Sequence, residues 1–306
     1  MPDLSIIIVN WNTRDLLIEC LNSILSTAAD LAVEIIVVDN ASTDGSPAVV
    51  QRRFPEVRLI GNVANIGFAK ANNQAMAISQ GRYFLLLNSD TVVLPRALGA
   101  LVRFADEHSK AGVVGCKLLN ADGSLQESWA SFPAFWSEVL GRNFRNRPQL
   151  PGMCGAYEVD WVGGACLLVR SAAIQQVGML DENYFMYSEE TDWCFRIKRA
   201  GWKVYYLANA EITHLGGGSA SRTSPVQLIR LYESKIRFFR QHYGVASASL
   251  LRHGLVIANV AGLARHGMRW LLWANGRAEI SRRLGAQWKL IRCLVGRQPP
   301  EGAASK

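Results

Sequence analysis

Tyr83-Phe84-Leu85-Leu86-Leu87-Asn88-Ser89-Asp90 is an unbroken apolar run that stops on three polar residues. A run this short, bounded by turn formers, reads as a strand buried on both faces. A carboxylate fixed at the end of such a strand is held rigidly, where a hard divalent cation could bridge it to two phosphates. Asn, Ser and Asp are also ordinary turn formers, so a plain β-turn explains these residues when they are taken alone.

The same pattern recurs upstream. Ser5-Ile6-Ile7-Ile8-Val9 ends on Asn10, and Glu34-Ile35-Ile36-Val37-Val38 ends on Asp39. Between them Leu16, Leu17, Cys20, Leu21, Ile24 and Leu25 recur at helical spacing. A further helix, the strand Val57–Ile60, the loop Asn65-Ile66-Gly67 and a helix from about Ala69 to Ser79 precede the opening run. Alternation of strand and helix predicts an α/β domain with a mostly parallel sheet over the first hundred residues. Ligands of such sheets bind beyond the carboxyl ends of the strands, and Asn10, Asp39 and Asn88-Ser89-Asp90 stand at three of those ends. Downstream, strand-like residues from Val159 to Val169 are interrupted by Gly163-Gly164, and Glu189 to Ala200 reads as a helix closed by Gly201. Val204–Leu207 reads as a short strand, and Pro225–Tyr243 as a long basic helix.

Composition bounds the possibilities. The 306 residues are 49% hydrophobic and 19% charged, which suits a folded globular chain. The formal net charge is +8, and it is unevenly placed: from Ser249 onward ten Lys and Arg face only Glu279 and Glu301. Any basic partner surface therefore lies in that tail. The six cysteines are scattered without metal-site spacing, as buried free thiols in a reducing compartment would be. No charged segment followed by an apolar core opens the chain, so no secretory signal is expected and the expected location is cytoplasmic.

Other residues carry candidate chemistry. Asp39 can accept hydrogen bonds from a base or a ribose, whereas Ser42, Thr43 or Asp44 can simply cap the next helix. His214, just before Gly216-Gly217-Gly218, could complete a metal shell with Asp90, although a solvated loop histidine is the commoner case. Glu189, Glu190 and Asp192 fall in the first turn of a helix, where the macrodipole stabilises acids. One of them could instead serve as a general base in the aromatic surroundings of Tyr184, Phe185 and Trp193. Asp192 and Arg196, at i and i+4, suit a structural pair.

The order and spacing of these blocks resemble the family 2 glycosyltransferases, and within them the rhamnosyltransferase-like branch. The blocks are Ile6–Asn12, Val37–Ser46, Asn65–Ala69, Leu85–Asp90, Gly163–Arg170, Phe185–Cys194 and His214–Ser219, and the resemblance covers about residues 4 to 243. It implies a GT-A fold: a Rossmann-like, nucleotide-binding mixed sheet flanked by helices. It further implies a nucleotide-sugar donor, plausibly dTDP-L-rhamnose, a lipid-linked or cell-envelope saccharide acceptor, and Mg²⁺ or Mn²⁺ as cofactor. Asp90 and His214 would hold the metal or diphosphate, Asp39 the base, and Glu190 would be the general base of an inverting transfer. Asn10, Asn65, Gly67, Lys70, Asn88 and Gly164 would contact substrate, as would Glu189 and Asp192. Two departures stand out. The family more often has Asp where Glu190 stands, which leaves Glu189 or Asp192 as fallback bases, and Asn88 replaces the first carboxylate of the metal motif.

The chain is expected to divide into a catalytic domain, 1–248, and, outside the resemblance, a basic amphipathic helical tail, 249–306, with a disordered end. Its longest uncharged stretch, His253–Ala264, is too short to span a bilayer. Tryptophans 270, 273 and 288 beside arginines suit a helix lying on an anionic leaflet, and a helical hairpin packed on the catalytic domain is the alternative. Nucleic acid is not expected, because no recognition motif accompanies the charge. Two other readings compete with transfer. A nucleotidyltransferase would want a glycine-rich loop after the first strand, and Asn10–Arg14 holds no glycine. A catalytically inactive scaffold would bind nucleoside diphosphate without turnover.

Overall fold

The computed structural model describes residues 1–140, 155–216, 225–272 and 277–296. Gly217–Ser219, Cys154, Trp273 and the polar end after Gln298 lie outside the described residues. The chain forms two compact units, Met1–Phe132 with Arg147–Ser219, and Pro133–Asn146 with Ala220–Lys306.

The first unit is built on β1 (Leu4–Asn10), β2 (Val33–Asp39), β3 (Arg58–Gly61) and β4 (Tyr83–Asn88), all parallel, in the order β3-β2-β1-β4. β11 (Cys166–Arg170) then runs antiparallel to both β4 and β6 (Ala111–Leu119). β12 (Lys203–His214) pairs parallel with β6 and antiparallel with β5 (Thr91–Val93). Residues 4–88 supply the parallel run β3-β2-β1-β4, and the later strands, paired both ways, make the sheet mixed. β-branched residues dominate β1 and β2, and their alternation packs both faces. Ile6 and Ile8 point toward α1 (Arg14–Thr27) and α4 (Ala97–Glu107), and Ile7 toward α3 (Phe68–Met76) and α7 (Glu189–Arg199). Each such side chain contributes roughly 1.5–3 kcal/mol by leaving water.

Register sets the site. Asn10 pairs with Asp39 and Val9 with Asn88, so three polar strand ends share one rim. β12 is much longer than the strand expected at Val204–Leu207, because a bulge between Leu207 and Glu211 lets it change register and continue to His214. There it meets β5, with His214 opposite Thr91.

The second unit contains α5 (Phe135–Val139), α8 (Pro225–Leu272) and α9 (Arg277–Leu294). α8 breaks at Gly244 (φ 90°, ψ 168°), just past the helix end expected at Tyr243. α8 and α9 approach closely at Gly262, where an added Cβ would lie 2.6 Å from Gln287 Nε2. Among the described residues α8 alone is long and apolar enough to cross a membrane by length and composition, with 22% of its most apolar stretch buried. That differs from the expectation drawn from His253–Ala264, because a helical window tolerates an occasional arginine that an uncharged run does not. Core helices of soluble proteins pass the same test.

Candidate active site

The rim is tied together by one hydrogen-bond network. Asn10 Nδ2 donates to Asp39 Oδ1 at 2.9 Å and to Ser42 Oγ at 3.1 Å, while the Ser42 amide donates to Asp39 Oδ2 at 2.8 Å. Asn10 Oδ1 accepts from Thr13 Oγ1 at 2.7 Å, and that hydroxyl also meets Ser89 Oγ at 2.8 Å. Asn10 and Asp39 are buried, so these bonds offset the cost of taking them out of water. Both Asp39 oxygens keep lone pairs for a further donor. Ala41 is held at φ 61°, a conformation L residues seldom adopt, in the turn that carries Ser42.

One residue past Ser89, Asp90 sits against the end of β12. Its carbonyl accepts the Leu215 amide at 2.9 Å, and its Oδ1 lies 3.2 Å from His214 Nε2. Asn88 Nδ2 lies 3.3 Å from the same nitrogen. On the other side of the ring, Nδ1 faces Gln126 Oε1 at 2.6 Å. An amide oxygen only accepts, so the imidazole donates from Nδ1 and turns Nε2 toward Asp90. A carboxylate oxygen from the turn between β4 and β5 and an imidazole nitrogen from the end of β12 make a donor set that fits a divalent cation whose other ligands are diphosphate oxygens and water. No group of three or more His, Cys, Asp or Glu side chains with that geometry occurs among the described residues.

A second cluster forms around the start of α7. Tyr187 (φ 74°) and Ser188 (φ 66°) are both left-handed, and the helix begins immediately after them. Glu190 packs beside Gly164, where a Cβ would stand 3.9 Å from the glutamate side chain and 4.0 Å from Phe68. Gly164 is joined to the rim through its neighbour, since the Asn88 amide donates to Ala165 O at 3.0 Å. Phe68 is tied in as well, its amide donating to Phe185 O at 2.8 Å. Gly67 makes that approach possible: with φ 89°, a Cβ there would fall 2.6 Å from the same carbonyl. Asn65 Oδ1 closes the loop by accepting the Gly67 amide at 3.0 Å.

Burial pushes the Glu190 carboxyl up to about 7, against hydrogen bonds from Thr191 that pull it down. Glu189 is buried, with Oε2 lacking a hydrogen-bond partner, and desolvation followed by the charge of Glu190 raises it well above its ordinary range. Two carboxyls so placed ionise reluctantly and one at a time.

Asp192 lies in the same turn. It is fully buried and accepts from Arg196 Nε at 2.8 Å, while the two terminal nitrogens of that guanidinium donate to Val177 O and Met179 O. This i, i+4 pair anchors α7, and removing one partner of such a buried pair costs about 3–5 kcal/mol. Lys70 is exposed on α3. Sequence reasoning missed Gln126, Thr13 and the Phe185 carbonyl, whose roles depend on what lies opposite them.

The sequence profile described as Glycosyl transferase family 2 matches residues 5–173, more than half of the chain. This chain belongs to glycosyl transferase family 2. The transferase is 32% identical over 244 residues to the N-acetylglucosaminyl-diphospho-decaprenol L-rhamnosyltransferase of Mycobacterium tuberculosis, covering 72% of this chain and 78% of that protein. It is 28% identical over 221 residues to the rhamnosyltransferase WbbL of Escherichia coli, covering 68% and 82%. In fold the enzyme is similar to the mannosyltransferase PcManGT from Pyrobaculum calidifontis in complex with GDP-Man and Mn²⁺, with TM-score 0.60 and 17% identity over 97% of this chain and 87% of that one. It is likewise similar to GalNAc-T7 with UDP, GalNAc and Mn²⁺, with TM-score 0.62 and 14% identity over 78% and 48%. These neighbours establish the GT-A fold of the transferase. The five cysteines among its described residues are free, four of them buried.

Proposed function

We propose that this glycosyltransferase moves one sugar, with L-rhamnose from a dTDP donor as the leading candidate, to a hydroxyl of a lipid-linked saccharide, inverting the anomeric centre. The observation that carries the reading is Glu190: a desolvated carboxyl with a raised pKa, standing beside Gly164 and Phe68 next to the polar rim. The two rhamnosyltransferase relatives, and the lipid-linked acceptor in the name of one of them, support the choice of donor and acceptor.

In this reading Asp39 and Asn10 orient the nucleotide base, while Asn88, Asn65, the Gly67 backbone and Lys70 face the donor's polar groups. Glu190 accepts the proton of the acceptor hydroxyl as that oxygen bonds to C1. The bond from C1 to the diphosphate oxygen breaks on the opposite face, and configuration inverts. A single carboxylate suffices, because no covalent intermediate is formed. At Glu189, burial and the charge of Glu190 disfavour a second negative charge. Asp90 and His214 are the residues that would hold Mg²⁺ or Mn²⁺, which when bound supplies positive charge for the departing diphosphate. The deciding experiment is a donor panel with a lipid-linked acceptor, read by released nucleoside diphosphate. Turnover with dTDP-rhamnose above the other donors is expected; binding without turnover across the panel would leave only a nucleotide-binding scaffold.

The tail is read as the membrane-facing part. On α8 the residues Ala246, Leu250, His253, Ile257, Val260 and Ala264 are exposed at alternating three- and four-residue spacing, with Leu250 58% and Ile257 69% accessible. The opposite side buries Leu251 and Leu255. A second copy would bring two basic tails together, whereas an anionic leaflet complements them. Leu250→Glu with Ile257→Glu should lower cosedimentation with phosphatidylglycerol vesicles several-fold and leave turnover of a water-soluble acceptor unchanged. Undiminished vesicle binding refutes that role for the stripe.

A further inference from the structure

The side chain behind His214 belongs to a longer chain of hydrogen bonds with one polarity. Gln126 Oε1 meets Nδ1, and Gln126 Nε2 donates to Asn120 Oδ1 at 2.8 Å and to His214 O at 3.3 Å. Asn120 Nδ2 donates to Ser124 Oγ at 2.9 Å, and Ser124 Oγ donates to Asp122 Oδ1 at 2.6 Å. The Asp122 carboxylate can only accept, and hydrogen bonds from the Ser124 hydroxyl and amide hold its pKa below the usual value. Asp122 and Ser124 are exposed, whereas the His214 carbonyl by itself already sets which way the Gln126 amide faces. Ser124 must donate to Asp122, so its lone pair takes Asn120 Nδ2. Asn120 must therefore present Oδ1, which selects Gln126 Nε2. Turning the Gln126 amide over would set its oxygen against two acceptors, Asn120 Oδ1 and His214 O.

We propose that this relay from Asp122 through Ser124, Asn120 and Gln126 fixes the His214 tautomer with its proton on Nδ1, so that Nε2 faces Asp90 ready to ligate a cation. Gln126 is thus a positioning residue, acting through His214. The inference rests on the metal reading above only for its consequence; the proton on Nδ1 is read in the metal-free protein, where Nε2 stands 3.2 Å from the Asp90 carboxylate and 3.3 Å from Asn88 Nδ2. Groups of this kind commonly change metal affinity by about 10–100-fold when removed.

The test is ¹⁵N NMR of histidine-labelled, metal-free full-length protein at a pH of about 8, above the ordinary imidazole range, together with Mn²⁺ binding in the presence of dTDP, read by electron paramagnetic resonance. The wild type should show His214 protonated on Nδ1. Gln126→Leu should mix the two tautomers and weaken Mn²⁺ binding at least tenfold. Asn120→Ala, in the turn between β6 and β7 (Leu125–Gln126), leaves the sheet pairing intact and should give a smaller shift of the same sign. A wild-type His214 protonated on Nε2, or a tautomer unmoved in Gln126→Leu, overturns the relay. Loss of Mn²⁺ binding in the wild type with the tautomer shift retained would instead remove the metal reading and leave the relay standing.

Discussion

Replacing Glu190 by glutamine should lower kcat by about 10²–10⁴-fold, the usual contribution of a positioned general base, while the folded chain becomes more resistant to urea above neutral pH. The stability half follows from the raised carboxyl. Its pKa moves from an ordinary 4.5 to about 7 in the folded chain, so folding favours the protonated form. That contribution is fully present below about 4.5 and is lost as pH rises through about 7. Glutamine has no proton to lose, so the variant gains on the order of 1–3 kcal/mol relative to wild type at pH 8. Glu189 carries the same sign. For turnover the sign reverses, because the base must be ionised: wild-type kcat/KM should rise with pH through about 7, and the variant's residual rate should not. A variant that is more stable and nearly inactive marks a group retained for function. Turnover unchanged in Glu190→Gln but lost in Glu189→Gln would transfer the role to the neighbouring carboxyl.

Asp90→Ala should reduce kcat/KM on the order of 10³-fold, since stabilising a leaving diphosphate is worth several kcal/mol and each 1.36 kcal/mol is tenfold. The fold should survive, because the bond that joins this position to β12 runs from the Leu215 amide to the Asp90 carbonyl, which alanine retains. Chelation should silence the wild type and added Mn²⁺ or Mg²⁺ should restore it, whereas the variant should respond to neither. Full turnover of the variant with intact circular dichroism would refute the role of Asp90.

The two substitutions probe parts of the molecule that were legible to different degrees. Asp39 and Asp90 could be picked out from the sequence because each terminates a run of buried β-branched or leucine residues. In a parallel sheet the ends of such runs must lie on one rim. Gly67 was legible only as part of a loop, and the structure showed that a Cβ there would stand 2.6 Å from the Phe185 carbonyl. Asp192 shows the limit of spacing arguments. Its i, i+4 relation to Arg196 was visible, yet three acidic residues in one turn cannot be sorted by sequence, because helical rotation alone does not say which side is core. Burial sorted them: Asp192 fully enclosed with its arginine, Glu189 enclosed without a partner for Oε2, and Glu190 half-buried beside Gly164.

By itself the sequence determined the strands β1, β2 and β4, the polar residues on which they end, the acidic turn at the start of α7 and the concentration of positive charge in the tail. These are consequences of local pattern, in which period, run length and turn chemistry act over a few residues. Only the tertiary structure decided that His214 meets Asp90, that Gln126 orients the ring from behind, and that Gly164 borders Glu190. Those pairings depend on the order β4-β11-β6-β12-β5 and on a bulge that carries β12 far enough to reach β5. Strand order is set by the burial of whole sheet faces, which no short stretch of residues records.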